Sequence, residues 1–483
     1  MKIQLLKSHV VSKSGYGEHI RDMLAAVSHR GVEVSILDDM PDSVCSVSGM
    51  HEVKKSRKDI PFIYPTNWHH RYTMKPEQYS IVLTMFESDR MHPSWVKRFN
   101  DADRVWVPSK FNYDTFLRSG VQKDKLVVIR APIKMPKSNG HLKTKRQFTF
   151  LSVFDSTAFF YRKGVDVLLK SYCKAFTEHD DVCLVIKTNV PRATLFKCAG
   201  VVKRRGAPKI EVINNYLSED QMVSLYNSAD AYVLPSRGEG IGRPYLYAMA
   251  RGLPVIATGW SGNTEFMNTK NSFLVDYTLK KIPLCIDRMI YPVFVDGYFA
   301  EPDSEHLTEI MHYVVNHQEE AKKRGERAKS IIRKNHSYAA VAKDVIRELQ
   351  KIGTPCRRVK KRNVFYHLFP LHFPGEDCVT EAHGRFSQKE VKNVAIYGTG
   401  AGAKMVFEWI SKFPSVKKIV FCDRNTNKKK FLRRKVIHYK DLGNEHADLL
   451  VLGVSDTYLH DVYVKVKDSI PVPIYSYLYL SPI

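Results

Sequence analysis

The feature that most constrains the fold is a pattern of strand, loop and helix that starts three times along the chain. The starts are the apolar runs IQLLK (3–7), FTFLSVF near residue 148 and VKNVAIYG from residue 391. Each run leads through polar or glycine-bearing residues into apolar residues at helical spacing. Because strands that alternate with helices are typical of parallel sheets, the sequence predicts an α/β protein with three successive units.

Composition shifts mark the boundaries between these units. A lysine-rich connector, KMPKSNGHLKTKRQ, precedes the second unit, and a basic stretch that begins CRRVKKR precedes the third. At roughly 150 residues a domain, a chain of 483 residues has room for three. We predict an amino-terminal domain at 1–140, a second domain at 146–352, a linker or docking arm at 353–390 and a smaller domain at 391–483.

Capping signals predict several helix ends. After a polar, glycine-bearing loop, the run IRDMLAAVSHR reads as a helix that Gly31 ends. Ser218 stands three residues before Gln221, which is the spacing of a capping box. One long helical stretch is predicted from 303 to 352, with Asp303 and Ser304 as its cap.

The chain carries a formal charge of +25, from 75 Lys and Arg against 50 Asp and Glu. This excess fits phosphorylated substrates, an anionic membrane face or nucleic acid. No apolar run reaches the roughly 18 residues that span a bilayer, and the first residues lack a signal-peptide pattern. The eight cysteines lack close pairs, which favours a reducing compartment. We expect a cytoplasmic protein, with peripheral contact at the membrane left open.

The stretch SRGEGIGRPYLYAMARGLPVIATGWSGNTEFM (236–267) carries the clearest chemical signal. It places three glycines in a turn and opens a helix near Pro244, a residue suited to a first helical position. The N–H groups of a helix start favour an anion such as a diphosphate. Because Glu239 in that turn would repel a phosphate, we expect it to accept hydrogen bonds from sugar hydroxyls.

The same stretch resembles the signature of the retaining glycosyltransferases of family 4, which have the GT-B fold. The family pattern is a Glu, seven residues and a second Glu within EGFGLPxLEAMAxGxPVIA, and this chain has EGIGRPYLYAMARGLPVIA. The similarity extends to GWSGNTEFM, FAEPDSEHL, VWVPSKFNYDTFLRSGV and RKGVDVLLKSYCKAF, and covers about residues 1 to 350. It implies two facing Rossmann-like domains, with the acceptor on the first and a nucleotide-sugar donor on the second.

The resemblance also implies roles by position. Glu239 matches the Glu that binds hydroxyls of the donor sugar, and Arg162 and Lys163 match the basic pair that neutralises the donor diphosphate; these three form the expected catalytic group. The expected donor-binding positions are Gly15, Gly17, Lys187, Gly240, Ile241, Gly242 and Tyr247.

Tyr247 departs from the family pattern. The second family Glu usually binds the ribose, and a tyrosine can stack or make one hydrogen bond but cannot accept two hydroxyls as a carboxylate does. Three interpretations stay open: the ribose is bound differently, nucleotide affinity is reduced, or catalysis is lost. Because Glu239 is present, we favour an active enzyme.

Acceptor-side candidates follow the predicted strand at 80–86. Glu87, Asp89 and His92 lie in LTMFESDRMHPSW, and the loop TNWHHRYT (66–73) is a weaker candidate. The resemblance implies transfer with retention, in which fixed cations and helix amides stabilise the leaving diphosphate, and that phosphate accepts the proton of the acceptor. It implies a UDP- or GDP-sugar as substrate, without a metal or a cofactor.

The third unit contains GTGAGA, in which Gly398, Gly400 and Ala403 fit the dinucleotide fingerprint G-x-G-x-x-G/A. Asp423 ends the next predicted strand. The unit resembles Rossmann-like modules of surface-polysaccharide enzymes. A nucleotide site and a turn that serves only packing both fit this pattern.

The leading interpretation is a glycosyltransferase of polysaccharide biosynthesis that acts on a glycan or lipid-linked glycan. Its basic stretch RRVKKR (357–362) would contact anionic lipid. One alternative is a DNA-modifying glycosyltransferase that acts on a hydroxylated base, which the charge favours and the lack of a nucleic-acid motif disfavours. The other is a catalytically impaired sugar-nucleotide-binding protein, which Tyr247 and the third unit favour.

Overall fold

The structure is a computed structural model, in which contacts divide the chain into two compact units. The first unit holds two large parallel sheets, a two-stranded sheet and the helices named below, and the second holds a further sheet. TNWHHRYT, RRVKKR, His92, Gly398 and Gly400 lie outside the described residues. The described residues are 1–6, 10, 15–37, 50–53, 55–65, 74, 78–91, 93–136, 147–154, 161–198, 206–282, 294, 297–352, 393–397, 407, 411, 417–423, 430–431, 434–438, 449–452 and 474–476.

The first large sheet is parallel and has the strand order β3-β2-β1-β4-β5-β6-β7. The order reverses between β1 and β4, which is the switch point of a Rossmann-like sheet. Its apolar residues form a continuous core, as the buried runs predicted. The strands are β1 (Lys2–Leu6), β2 (Glu33–Leu37), β3 (Met50–Val53), β4 (Phe62–Pro65), β5 (Ser80–Leu83), β6 (Arg104–Val107) and β7 (Leu126–Val128).

Helix α1 (Gly15–Ser28) begins earlier than the sequence predicted. The residues from Gly15 to His19 form its first turns, so their prediction as a loop was wrong. Glu18 in the first turn complements the positive end of the helix. The predicted end is confirmed, because Gly31 adopts φ 79° just beyond the helix. The first sheet also carries α2 (Pro93–Asp101) and α3 (Lys110–Arg118).

The second large sheet is also parallel and has the strand order β10-β9-β8-β11-β12-β13. Its switch point lies between β8 and β11. Below, the parts built on the two large sheets are called the first half and the second half. The strands are β8 (Phe148–Val153), β9 (Val182–Lys187), β10 (Lys209–Ile213), β11 (Ala231–Leu234), β12 (Val255–Thr258) and β13 (Phe273–Val275).

Two helices of the second half begin where sequence signals predicted. The Ser218 side chain accepts from the Gln221 backbone and the Gln221 side chain accepts from the Ser218 backbone, so the capping box is confirmed. Pro244 lies in the first turn of its helix, as predicted. The helices are α4 (Val165–Ala175), α5 (Arg192–Cys198), α6 (Glu219–Asn227) and α7 (Arg243–Ala250).

The single long helix predicted from 303 to 352 is three helices in the structure. They are α8 (Ser304–Asn316), α9 (Gln318–His336) and α10 (Tyr338–Ile352). His317 and Ser337 have ψ of 52° and 154°, outside the helical range, and they separate the three. Asp303 caps α8 as predicted, since its side chain accepts two backbone N–H groups. Helix α10 packs on α1, where Val341 and Val345 join the core of the first half.

A two-stranded antiparallel sheet lies between β13 and α8 in the chain. It consists of β14 (Tyr277–Lys281) and β15 (Tyr298–Pro302). In the second unit, the sheet has the order β18-β19-β17-β16-β20-β21 and is parallel except for β18. Its strands are β16 (Asn393–Tyr397), β17 (Lys418–Asp423), β18 (Lys430–Phe431), β19 (Arg434–His438), β20 (Leu449–Leu452) and β21 (Ile474–Ser476).

None of the helices in the described ranges is both long enough and apolar enough to cross a membrane.

Candidate functional site

The candidate site lies at the switch point of the second half. Strands β8 and β11 are neighbours there, and the segments that follow them carry Arg162, Lys163 and Glu239. Lys163 Nζ donates to Glu239 Oε1 at 2.5 Å, and Arg162 Nη1 lies 3.4 Å from Glu239 Oε2. The structure therefore brings together the three residues that the sequence analysis grouped as catalytic.

Burial and opposite charge act against each other in this cluster. The side chains of Glu239 and Lys163 are only 7% and 12% exposed. Burial would raise the pKa of the Glu239 carboxyl, but Lys163 and Arg162 outweigh it and hold that pKa below its ordinary value. Burial lowers the pKa of Lys163, while Glu239 opposes that shift and Arg162 adds to it. The cluster is thus an ion pair sheltered from water, with a second cation beside it.

Arg237 holds the segment that carries Glu239. Its guanidinium is 2% exposed and donates two hydrogen bonds to Asp166, at 2.8 and 2.9 Å, and two to Glu301, at 2.8 and 2.7 Å. It also donates to the carbonyl of Tyr161 at 2.6 Å and lies over that ring. These contacts tie the Glu239 segment to α4 and to β15. The pattern that drew attention to Glu239 gave no signal for Arg237.

The three glycines of the turn serve different purposes. Of the three, only Gly242 has a positive φ, 76°, a backbone conformation that glycine adopts readily. A Cβ on Gly238 would lie 2.1 Å from the Glu87 carbonyl oxygen, so this glycine allows the two halves to approach closely. Ile241 is buried in the core of the second half.

The two halves meet at the Glu239 turn. Ser109, which caps α3, donates its hydroxyl to the Gly240 carbonyl at 3.1 Å. The Lys110 backbone N–H donates to Glu265 Oε2 at 2.6 Å. Beside these bonds, the rings of Phe111 and Trp260 pack edge to face at 5.0 Å. In this arrangement the cleft between the halves is closed over Glu239.

Two of the acceptor-side candidates reach the second half. Glu87 Oε1 lies 3.7 Å from Arg162 Nη2, so its side chain faces the charged cluster. Burial raises the pKa of Glu87, Glu239 adds to the rise, and Arg162 and Lys163 offset it only in part. Asp89 Oδ1 instead accepts the Tyr298 backbone N–H at 2.7 Å, which anchors β15.

Tyr247 takes part in a hydrogen-bonded group that spans the halves. Its hydroxyl contacts Arg243 Nη2, which also donates to Asp22 Oδ2 on α1 at 2.5 Å. Tyr338 on α10 donates to the other oxygen of Asp22. Because burial raises the pKa of Tyr247 far above neutrality, its hydroxyl stays protonated. A carboxylate supplied by the first half, Asp22, thus lies beside Tyr247, the position at which the family 4 signature has its second Glu.

The other predicted donor positions lie on α1 and at the end of β9. Gly15 and Gly17 lie in the first turn of α1, where a Cβ on Gly15 would meet nothing within 4 Å. Lys187 ends β9, at the same edge of the second sheet as the cluster, and its Nζ donates to the Thr188 carbonyl at 3.4 Å.

In the second unit, Asp423 ends β17, the parallel neighbour of β16, as predicted. Across the described ranges, no three His, Cys, Asp or Glu side chains are placed to share a metal ion.

Comparison with known proteins finds similarity in both sequence and fold. Residues 147–282 match the family model described as glycosyl transferases group 1. HepE from Anabaena, solved with UDP and glucose, is 11% identical with a TM-score of 0.50, and the match covers 73% of this chain and 100% of HepE. A glycosyltransferase from Rickettsia africae is 16% identical, with a TM-score of 0.53 and coverage of 74% and 99%.

This chain has the GT-B fold. Sucrose-phosphate synthase from Thermosynechococcus elongatus is similar to the same extent, at 14% identity, a TM-score of 0.51 and coverage of 73% and 99%. No curated protein sequence matches the chain. The predicted α/β class and the two facing Rossmann-like domains are therefore confirmed, and the sequence match falls on the half that carries Glu239, Lys163 and Arg162.

Proposed function

We propose that this protein is a retaining glycosyltransferase of family 4, which moves a sugar from a UDP- or GDP-sugar to a glycan or lipid-linked glycan. The observation that carries the proposal is the pairing of Glu239 with Lys163 and Arg162 at the switch point, facing the first half. Doubly wound sheets bind their ligands at such points. That HepE, with the same fold, was solved with UDP and glucose supports a nucleotide-sugar donor.

Each part of the cluster matches one part of such a donor. Lys163 and Arg162 would bind the diphosphate and stabilise the charge that develops as it leaves. Glu239 would accept hydrogen bonds from sugar hydroxyls, each worth about 1.5–3 kcal/mol. The acceptor would enter from the first half, past Glu87, so that the closed cleft holds both substrates in reacting geometry and keeps water out.

A second candidate function is nucleotide-sugar binding without turnover. The observation that favours it is Tyr247, which stands where the family has a second carboxylate. Its hydroxyl accepts a hydrogen bond from Arg243. The two candidates share the donor site and differ in whether a product forms.

A panel of nucleotide sugars in a thermal-shift assay tests both. A donor at 100 times its Kd stabilises the fold by about 2.7 kcal/mol. Hits then enter a transfer assay with glycan and lipid-linked acceptors, with EDTA present and with the anomeric configuration of the product read by NMR. Product that retains the donor configuration supports the leading proposal, while binding without hydrolysis or transfer supports the second. No shift with any nucleotide sugar refutes both.

A further inference from the structure

Glu87 contacts the charged cluster from the opposite half of the fold. Arg162 lies between two carboxylates, with Nη2 3.7 Å from Glu87 Oε1 and Nη1 3.4 Å from Glu239 Oε2. The side chain of Glu87 is 17% exposed, and those of Arg162 and Glu239 are 7% exposed. Because little water reaches these side chains, solvent screens their charges only weakly, and the interactions among the three charges are strong.

Charge is balanced within the cluster. The described charged groups that face Glu87 are Arg162, Lys163 and Glu239, and together the four carry two positive and two negative formal charges. Asp89 lies on the same segment as Glu87, but its carboxylate accepts a hydrogen bond from the Tyr298 backbone N–H. Arg162 Nη1 also donates to the Gly238 carbonyl at 2.6 Å, which holds its guanidinium beside the turn.

A diphosphate on Arg162 and Lys163 would upset this balance. Its oxygens would take over the two cations, and the carboxylates would then face both each other and the added negative charge. A buried carboxylate without a cation is strongly unfavourable, and it becomes neutral by binding a proton. Glu239 would exchange its 2.5 Å contact with Lys163 for hydrogen bonds from sugar hydroxyls. Glu87, which has only the 3.7 Å contact with Arg162, has no such replacement and is the carboxylate that binds the proton.

We propose that Glu87 takes up one proton when a diphosphate donor binds to Arg162 and Lys163. The inference rests on the proposed function and adds a proton to its binding step. An O–H bond forms on the Glu87 carboxylate, solvent supplies the proton, and no other bond changes. Neutral Glu87 then presents a hydrogen-bond donor in the cleft.

The direction of the Glu87 pKa agrees with this assignment. Burial already raises it, and the two cations that oppose the rise are the ones a diphosphate would occupy. Because the bound state holds more protons than the unbound state, affinity must fall as pH rises. The limit for a single proton is about a tenfold increase in Kd per pH unit. A ligand without phosphate leaves the ion pairs intact and would bind without this proton.

Calorimetry measures the proton directly. UDP-glucose and GDP-mannose are suitable probes, because a diphosphate diester lacks the terminal phosphate group that titrates near pH 6. Each is titrated at pH 7 in two buffers with different ionisation enthalpies, and the difference in observed enthalpy gives the number of protons bound. We expect uptake approaching one proton for the unmodified protein, and Kd that rises from pH 6 to pH 8.

Glu87→Gln should bind the same probe with no proton uptake and with a Kd that no longer depends on pH. Asp114→Asn, which changes an exposed carboxylate of α3 paired with Lys110, is the matched control and should behave as the unmodified protein. Binding without proton uptake in the unmodified protein overturns the inference and leaves the proposed function standing. Uptake that persists in Glu87→Gln overturns it too. If that variant does not fold, the pH dependence of Kd in the unmodified protein decides. Failure to bind any nucleotide sugar refutes the proposed function instead.

Discussion

Replacing Glu239 with Gln should separate binding of the sugar from binding of the diphosphate. The change keeps the size of the side chain and removes its charge. Each hydrogen bond from a sugar hydroxyl to the carboxylate contributes about 1.5–3 kcal/mol, and tenfold in rate corresponds to 1.36 kcal/mol. We therefore expect kcat/KM to fall by about 10- to 150-fold for each hydroxyl that Glu239 holds, and Glu239→Ala to abolish transfer.

The same variant should bind UDP at least as well as the unmodified protein. Lys163 donates to Glu239 at 2.5 Å in the structure, so removal of the carboxylate charge leaves that cation available to the diphosphate. Transfer is measured with the nucleotide sugar that the thermal-shift panel identifies, and UDP binding by calorimetry. Glu305→Gln, an exposed carboxylate in the same half that pairs with Lys174, is the control for loss of charge alone.

Two results would refute this reasoning. Unchanged turnover in Glu239→Ala would remove Glu239 from the reaction. An equal loss of affinity for UDP and for the UDP-sugar in Glu239→Gln would mean that the substitution damages the fold, because UDP has no sugar for Glu239 to bind. Circular dichroism of the variant distinguishes a damaged fold from a missing contact.

Three further predictions concern the groups that shape the site. Arg237→Met leaves the carboxylates of Asp166 and Glu301 without their shared cation, and should lower the free energy of unfolding in urea by about 3–5 kcal/mol; a loss below 1 kcal/mol would mean that Arg237 does not hold this segment in place. Tyr247→Phe removes only a hydroxyl from a packed ring, so kcat/KM should fall much less than in Glu239→Ala, and an equal loss would make the hydroxyl essential. Gly242→Ala, with φ 76° and a Cβ 2.4 Å from the Tyr245 ring, should lower the melting temperature more than Gly31→Ala, where φ is 79° and the space is open; equal shifts would mean that only backbone strain matters.

The sequence predicted those parts of the fold that depend on local patterns. Buried runs became strands, and the cap signals at Ser218 and Asp303 marked real helix starts, because capping needs only residues within one turn. The break at His317 was missed for the opposite reason. The run on both sides has good helical spacing, but the two helices pack on different partners far away in the chain, α8 on α4 and α9 on α7.

The candidate site divides in the same way. Glu239 could be found because its glycine-rich surroundings have a recognisable spacing, and Lys163 because it matches a family position. Arg237 could not be found, since its partners Asp166 and Glu301 are 71 and 64 residues away and nothing local marks them as neighbours. Contacts of this kind follow from the folded arrangement of the strands and have no sequence period.

Closure of the cleft connects these observations. The first half contributes Glu87 to Arg162, Asp22 to Arg243 and Ser109 to the Gly240 carbonyl, so three segments around Glu239 are each bonded across the cleft. While all three bonds hold, a donor has little access to this ion pair, because the side chains of Lys163 and Glu239 are only 12% and 7% exposed. Binding must therefore separate the halves or exchange these bonds for bonds to the ligand. A nucleotide sugar offers a diphosphate to replace the carboxylates and hydroxyls to replace the hydrogen bonds, and a ligand that lacks either part would leave buried groups of this cleft without partners.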